Sequence, residues 1–465
     1  SPDPARALVG HHVSMRRHPP GPRRSRNPYR WFRPRHGDRL AGLTRAAGEH
    51  GPVARLPHGP VWIHLVSDPE LVREVLVTRA DDFTIGRKLR ATRRYLGDGL
   101  LGSEGEMHRR QRAVVAPACH RDAVERCVRV IVDRTGSALD AWGDEQRTDL
   151  RLEMTRIARD VMAGVAWGEE PGAGPPPALD DLAAPIDQLE NATSPAGRIA
   201  MRLPTPAVRR ARAAAARSRS SVEAVIARRR AAGSEGDDLL GMLLAARDEH
   251  GDPLPDALVR DELRTVFLAG QESVSNTMAW TIWLVSAHPE VADAVHREAR
   301  DVLGEGPLTA RRVPLLGSAR RAVQEAMRIY PPAWAIGRTA TREVGLGGWA
   351  IPAGANVLVS PWVTHRDPGL WSDPERFDPN RFAEGGERPD HPFAYFPFGG
   401  GPRTCIGSSL AMTEATIVLA MLLARYEVAW AGDAPVPRPQ ITLRPEAGAP
   451  IVARRRPVRA VATAP

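Results

Sequence analysis

The feature that most limits the fold of this 465-residue chain is one long segment without proline. The chain holds 43 prolines, yet none lies between Pro255 and Pro289. Residues 256–287 also have a helix-forming composition. A helix of about 30 residues spans about 45 Å, which is enough to cross a whole domain. The sequence therefore predicts a helical domain with one helix that runs through it.

Helical spacing or composition marks most of the chain between residues 105 and 330. The predicted helices cover residues 105–116, 121–142, 149–167, 206–232, 238–248, 256–287, 290–303, 315–329 and about 406–424. Asp68 and Pro69 are typical of a helix start. Short β-like runs are predicted at 52–57, 60–66, 348–351 and 356–360, and residues 171–177 are predicted to form a loop. The fold class is mainly α with a small β region.

Positive charge is concentrated near the N-terminal end. The formal net charge is +9, and residues 1–50 carry eleven arginines against Asp3, Asp38 and Glu49. Residues 1–35 are also rich in proline, which predicts an extended, partly disordered basic leader. Nucleic-acid binding is the alternative for such a leader, but no aromatic-basic stacking pattern accompanies it. We therefore expect no nucleic-acid partner, one domain over 36–455 and a short tail over 456–465.

Cysteine usage and hydropathy indicate the cellular compartment. The three cysteines, Cys119, Cys127 and Cys405, are too few for a disulfide scaffold and fit a reducing cytoplasm. The sequence contains no run of about 18 apolar residues, so no membrane span is predicted. No apolar segment typical of a secretory signal follows the N-terminal charges. We expect a cytoplasmic protein, with Cys119 and Cys127 as structural residues.

The most informative local pattern is a glycine-rich loop, FGGGPRTCIG at residues 398–407, that ends at the start of a predicted helix. A helix N-terminus offers free N–H groups and a positive dipole end, which lower the pKa of a thiol and favour the thiolate. Glycines let the backbone approach a large flat ligand, and Arg403 can meet an anionic group on it. An inert buried cysteine near a turn is the alternative.

The spacing within this loop resembles the haem-binding signature FxxGxRxCxG of the cytochrome P450 family. Phe398, Gly401, Arg403, Cys405 and Gly407 match its fixed positions. The resemblance implies that these residues bind haem b, with Cys405 as the axial thiolate ligand of the iron. It covers roughly residues 35–455 and implies a single P450-like domain.

Glu325 and Arg328 lie three residues apart on a predicted helix, so they share a face and can pair. An exposed pair of this kind contributes little to stability. The two residues resemble the ExxR motif of the same family, and the DPERF stretch at 373–377 resembles its PERF motif. The resemblance implies that Glu325, Arg328 and Arg376 form a buried ion triad that supports the cysteine loop. This role would be structural and not catalytic.

The long predicted helix contains Ala269-Gly270-Gln271-Glu272-Ser273 near its middle. A glycine in the interior of a helix costs about 1 kcal/mol relative to alanine. A polar stretch tolerated in a core helix, without a function, is one interpretation. The stretch resembles the oxygen-activation motif AGx[DE]T, with Ser273 in place of threonine. The resemblance implies that Glu272 and Ser273 relay protons beside Gly270, and that Ala269 and Gly270 contact the substrate. Serine keeps the hydroxyl but lacks the methyl group that restricts χ1.

His108 and Arg112 lie four residues apart on a predicted helix and point the same way. Taken alone, His108 and Arg112 are explained equally well as part of a basic helix face in contact with solvent. The family places basic residues at this spacing, and another arginine at the position of Arg338. The resemblance therefore implies that His108, Arg112, Arg338 and Arg403 bind the two haem propionates, a balanced arrangement of charge.

Together these motifs imply a haem-thiolate monooxygenase that inserts one oxygen atom from O2 into an apolar substrate, by hydroxylation or epoxidation. Ala335 and Ile336 are expected at the substrate as well, and this small aliphatic lining favours a terpenoid or another secondary metabolite. No flavin or iron–sulfur motif is present, so electrons would come from a separate ferredoxin or flavodoxin and its reductase. A basic chain suits an acidic electron donor. A peroxide-dependent oxygenase and a non-catalytic haem-binding protein are the alternatives.

Overall fold

The computed structural model describes residues 18–23, 39–58, 61–116, 121–168, 202–233, 236–248, 250–446 and 449–457. The predicted loop at 171–177 and Cys119 lie outside the described residues.

The predicted helical character is confirmed. The helices in chain order are α1 Arg39–His50, α2 Pro69–Arg73, α3 Arg87–Arg90, α4 Arg93–Leu96, α5 Gly105–Val115, α6 Arg121–Asp140, α7 Leu150–Trp167, α8 Pro206–Ala232, α9 Leu239–Ala245, α10 Asp256–Ser286, α11 Pro289–Gly304, α12 Gly317–Ile329, α13 Pro361–Thr364 and α14 Ser408–Arg425. The long predicted helix is α10, and it contains 31 residues.

The β portion is small and divided among several sheets. The strands are β1 Val53–His58, β2 Val61–Val66, β3 Phe83–Ile85, β4 Glu145–Asp149, β5 Ile336–Ala340, β6 Val344–Leu346, β7 Trp349–Ile351, β8 Asn356–Val359, β9 Tyr426–Trp430, β10 Pro437–Pro439, β11 Leu443–Pro445 and β12 Pro450–Arg455. The largest sheet has the order β1-β2-β8-β5-β3, and β4-β12-β9 form a second sheet. In the larger sheet β2 and β8 run parallel and the other neighbours antiparallel.

Side-chain caps explain where several helices begin. The Asp68 carboxylate accepts a hydrogen bond from Leu71 N at 3.0 Å, which confirms the predicted start of α2. Thr205, Asp149 and Asp238 cap α8, α7 and α9 in the same way. Each of these side chains satisfies a backbone N–H that the first helical turn leaves unpaired.

The main hydrophobic core lies around the C-terminal half of α10. Val274, Met278 and Ile282 of α10 are buried there among side chains of α6, α7, α11, α12 and α14. Within the described residues, α14 is the one helix long and apolar enough to cross a membrane, but most of it is buried in this core. Packing inside the protein therefore accounts for its apolar sequence.

Part of the predicted leader packs against the folded domain. The N–H of Arg55 in β1 donates to Pro20 O at 2.7 Å. A Cβ added to Gly21 would lie 1.9 Å from the carbonyl oxygen of Arg55. Residues 18–23 thus contact β1 closely, whereas the leader was expected to lie outside the domain.

Candidate active site

The cysteine loop has a fixed backbone conformation. Cys405 N donates to Phe398 O at 3.0 Å, which closes the loop before α14. Gly401 has a φ of 68°, and a Cβ added there would lie 1.9 Å from Leu76 O. Only glycine combines this left-handed conformation with so close an approach of two backbones. Gly401 therefore brings the cysteine loop against the turn Glu74–Thr78 that follows α2.

The side chain of Cys405 is exposed, while α14 behind it is buried. Desolvation nevertheless raises the pKa of the Cys405 thiol, and the N–H of Gly407 and the charge of Arg112 oppose this rise. The sequence predicted a lowered thiol pKa from the helix N-terminus. In the structure α14 begins only at Ser408, three residues after Cys405, and burial outweighs the effect of the helix N-terminus on the pKa of the thiol.

The four predicted basic residues converge beside this loop. Arg112 Nη1 donates to Thr404 O at 2.8 Å, and Arg403 Nη2 donates to Ser103 O. His108 is buried on α5 and Arg338 is buried on β5. Three separate elements therefore bring these side chains to one place.

The basic cluster has an unbalanced positive charge. Burial lowers the pKa of His108 to about 4, and the charges of Arg403, Arg112 and Arg338 lower it further. Burial, with a contribution from Arg403, also lowers the pKa of Arg338 to about 10. Within the described part of the chain, no carboxylate forms an ion pair with any of these arginines. The cluster therefore favours a ligand with negative charge, and His108 is neutral at pH 7.

The predicted ion triad is present with one different member. Glu325 accepts hydrogen bonds from Arg328 Nε at 2.7 Å and Nη2 at 2.8 Å, and both side chains are fully buried. Arg376 is 63 % exposed and pairs with Asp378, so its assignment to the triad is wrong. The third member is Arg381, which is 2 % exposed with Nε 3.4 Å from Glu325 Oε1. Arg376 contributes only its carbonyl oxygen, 3.1 Å from Arg328 Nη2.

His365 connects the triad to the cysteine loop, and the sequence analysis missed it. Arg328 Nη1 donates to His365 O at 2.9 Å, and Phe396 N donates to His365 Nε2 at 2.9 Å. Gly399 N in turn donates to Phe396 O at 2.9 Å. Burial, followed by the charges of Arg328 and Arg366, lowers the pKa of His365 to about 3, so the ring is a neutral acceptor. No motif surrounds His365 in the sequence.

The middle of α10 differs from the rest of the helix in its exposure. Ala269 is exposed although most of α10 is buried. Ser273 Oγ donates to Ala269 O at 2.7 Å, so the hydroxyl oxygen keeps its lone pairs for another donor. Ala269 and the half-buried Ser273 are therefore more accessible than the parts of α10 on either side of them.

Gly270 was expected in the catalytic group and at the substrate, but it packs between two helices. A Cβ added to Gly270 would lie 2.5 Å from Met162 Sδ on α7. The glycine lets α10 approach α7 closely, so its place in the structure is explained by packing. Gly270 is itself half-buried, so its predicted roles in catalysis and at the substrate stay predictions.

Glu272 is held by two residues that the sequence analysis missed. Thr442 Oγ1 donates to Glu272 Oε1 at 2.8 Å, and Asn276 Nδ2 donates to the same oxygen at 3.2 Å. Asn276 lies one helical turn after Glu272, which is a recognisable spacing. Thr442 is 170 residues away in the sequence, and no local pattern indicates this contact.

The other two predicted lining residues lie beside the cysteine loop. Ala335 and Ile336 are half-buried, and Ile336 is the first residue of β5. A Cβ added to Gly399 would lie 3.5 Å from Ile336 Cδ1. Their contact with a substrate stays a prediction.

Comparison with known proteins identifies the family. The cytochrome P450 family model matches residues 19–450. The chain is a cytochrome P450. It is 33 % identical to cyclooctatin synthase of Streptomyces melanosporofaciens, over 85 % of this chain and 86 % of the relative. It is 34 % identical to cyclooctat-9-en-7-ol 5-monooxygenase of the same organism, over 82 % and 83 %. Identity to pentalenene oxygenase of Streptomyces avermitilis is 32 %, over 83 % and 86 %.

Members of this P450 family use haem, and this chain is a haem-thiolate monooxygenase. The described residues fit that cofactor. Cys405 offers an accessible thiol, and a Cβ added to Gly407 would meet no atom within 4 Å. The positive charge of the buried Arg338 and the half-buried Arg112 and Arg403 fits the two propionate groups of haem.

Proposed function

We propose that this P450 hydroxylates or epoxidises an apolar terpenoid, with Cys405 as the sulfur ligand of its haem. The observation that carries the proposal is the cluster of Arg112, Arg338 and Arg403 beside an accessible thiol. The three relatives named above carry names of terpenoid-modifying oxygenases, which supports the substrate class. Coordination by the metal would deprotonate the thiol despite its raised pKa.

The haem, when bound, supplies the activation of O2. The chain's own residues bind and orient it. Arg112, Arg338 and Arg403 would hold the propionates through charge-assisted hydrogen bonds, and His108 would add a neutral N–H donor. Phe398, Gly401 and Gly407 shape the loop that presents Cys405.

Ser273 and Glu272 supply protons in this proposal. The Ser273 hydroxyl donates its own proton to Ala269 O, so its oxygen is available to accept a hydrogen bond from a water molecule. Glu272, one residue earlier, takes up a proton from solvent and passes it to that water. The freer χ1 of serine makes the position of this water less restricted than with threonine.

Ala269, Ala335 and Ile336 form the apolar wall against which the substrate binds. Their small side chains leave room for a bulky hydrocarbon skeleton. Gly270, half-buried next to Ala269, contributes to the same wall.

Electrons come from a separate protein in this proposal, a ferredoxin or flavodoxin with its reductase. The net charge of +9 favours an acidic donor. We place the enzyme in the cytoplasm, where a reduced electron donor is available and Cys127 remains a free, buried thiol.

Spectroscopy and turnover test the proposal. The reduced protein with CO should show the red-shifted Soret band of thiolate-ligated haem. Cys405→His should abolish this band, and the buried control Cys127→Ser should retain it. Loss of the band in the control would contradict the assignment of Cys405.

The substrate is tested with a panel of terpenes, fatty acids, macrolides and aromatics. Terpenes should give the binding-induced spectral shift, and a surrogate ferredoxin and reductase should then support their oxygenation. Product formed with hydrogen peroxide alone, and not with O2 and reductant, would show a peroxide-dependent enzyme. No product under either condition would show a non-catalytic haem protein.

A further inference from the structure

The turn between β10 and β11 is held by two other parts of the molecule. Trp280 Nε1 on α10 donates to Leu443 O at 3.0 Å. Leu443 N donates to Pro332 O at 2.9 Å, and Trp334 Nε1 donates to Gln440 O at 2.8 Å. The turn is therefore fixed against both α10 and the segment that follows α12.

Neighbouring side chains of this turn face different surroundings. Ile441 packs against Tyr95 of α4 and against Ala211 and Ala215 of α8. Thr442 instead contacts Asn276 and Glu272 on α10. One short turn thus connects the packing of α4 and α8 with the acidic residue of the oxygen-activation motif.

The hydrogen bonds around Thr442 have a defined direction. Asn276 Nδ2 donates to Thr442 Oγ1 at 3.0 Å, so this hydroxyl acts as an acceptor towards Asn276. A hydroxyl has a single proton, and that of Thr442 goes to Glu272 Oε1 at 2.8 Å. Asn276 Nδ2 also donates to Glu272 O at 2.9 Å and to Glu272 Oε1 at 3.2 Å; its two protons serve three acceptors, so one N–H is shared, and these bonds fix the amide on the helix. The carboxylate of Glu272 is therefore held from two sides.

We propose that Thr442, oriented by Asn276, is a positioning residue that holds the Glu272 carboxylate for proton transfer. This inference rests on the proton-supplying role proposed above for Glu272. A carboxylate without this restraint samples other rotamers, and proton transfer falls when donor and acceptor leave hydrogen-bond distance. Reducing equivalents then leave as hydrogen peroxide.

The test compares Thr442→Val with Thr442→Ser. Valine keeps the shape but has no hydroxyl, and serine restores the hydroxyl. Thr442→Val should retain haem content and the substrate-induced spectral shift, while product formed per NAD(P)H falls by about tenfold and peroxide rises. Thr442→Ser should recover most of the coupling. The matched control is Thr281→Val on α10, the helix that carries Glu272. The hydroxyl of Thr281 donates to Thr277 O at 2.7 Å.

Thr442→Val with the coupling of the parent enzyme would overturn the inference. Equal loss in Thr442→Ser would overturn it as well, because the methyl group and not the hydroxyl would then matter. Loss in Thr281→Val of the same size would show a general effect of α10 on coupling.

A second readout needs neither substrate nor turnover. The midpoint of thermal unfolding is measured for Glu272→Gln, Thr442→Val and the double variant, all as holoprotein. Residues in direct contact give shifts that do not add. Additive shifts would overturn the contact, whatever the substrate is. A parent enzyme that oxidises no terpenoid would contradict the proposed substrate but leave this cycle unaffected.

Discussion

Arg376 and Arg381 occupy equivalent places in two successive P-x-R-F stretches, at 374–377 and 379–382. Nothing in the local sequence distinguishes them, and the resemblance pointed to the first. Burial separates them, because Glu325 is fully buried and only Arg381 reaches its carboxylate from within the core. The motif thus predicts that a triad exists, but the identity of its third member depends on how the loop folds.

Arg381→Ala should destabilise the protein by about 3 kcal/mol and lower its haem content, because removing one partner leaves a buried charge less compensated. Arg376→Ala should leave the free energy of unfolding close to that of the parent, as is usual for exposed sites. Denaturant unfolding and the haem-to-protein ratio measure both. A larger effect of Arg376→Ala would restore the original assignment.

Glu262 on α10 makes stability depend on pH. Its side chain is buried, Oε2 accepts from Leu100 N at 3.0 Å, and desolvation raises its pKa to about 7. The folded protein then holds a proton that the unfolded chain releases at lower pH. The contribution of Glu262 to stability therefore falls as pH rises from about 4.5 to 7, and is lost above 7.

Glu262→Gln should remove this dependence. The variant should be more stable than the parent at pH 8, by up to about 3 kcal/mol, and equal to it near pH 5. Denaturant unfolding at the two pH values measures this difference. An equal effect of the substitution at both pH values would show that the carboxyl does not titrate in this range.

At the scale of elements, local sequence signals predicted the helices whose ends are marked by capping residues or prolines. Helix α8 has the predicted bounds, since Thr205 caps it and Pro206 opens it. The segment predicted at 238–248 ends earlier, at Ala245. No local sequence signal predicts the place of the β10–β11 turn, because long-range hydrogen bonds to α10 fix it. The candidate site depends on such contacts at Thr442 and at His365.

Among the glycines of the cysteine loop, Gly401 leaves the least room for a side chain. Gly401→Ala would place a Cβ at 1.9 Å from Leu76 O and force alanine to a φ of 68°, so both the loop and the turn beside it must move. We expect loss of haem and of stability beyond about 2 kcal/mol. Gly42→Ala on α1 is the control, because an added Cβ there meets nothing within 4 Å. Normal haem content in Gly401→Ala would show that the loop adapts.

At the scale of the whole molecule, the fold holds positive charge in its interior for a ligand to neutralise. Arg338 on β5, Arg112 on α5 and Arg403 in the cysteine loop come from distant parts of the sequence, and the folded core brings them together. The resemblance predicted this set, but not the burial that lowers the pKa of Arg338 and His108. Burying charge without a partner costs stability. The positive charges of these residues therefore lower the stability of the protein without haem and raise its affinity for haem.

Arg338→Gln should consequently have effects of opposite sign on the two states. Without haem, the variant should be more stable than the parent by about 1–3 kcal/mol, because a buried cation is removed. With haem, it loses a charge-assisted hydrogen bond, and haem affinity should fall by about 10- to 100-fold. The unfolding free energy of the apoprotein and haem transfer to apomyoglobin measure the two effects. Arg454→Gln is the control, since Arg454 is 59 % exposed on β12 and pairs with Glu145. It should change neither quantity. If Arg338→Gln lowers the unfolding free energy of the apoprotein as well, then Arg338 stabilises the fold directly, and the expected opposition between apoprotein stability and haem binding is contradicted.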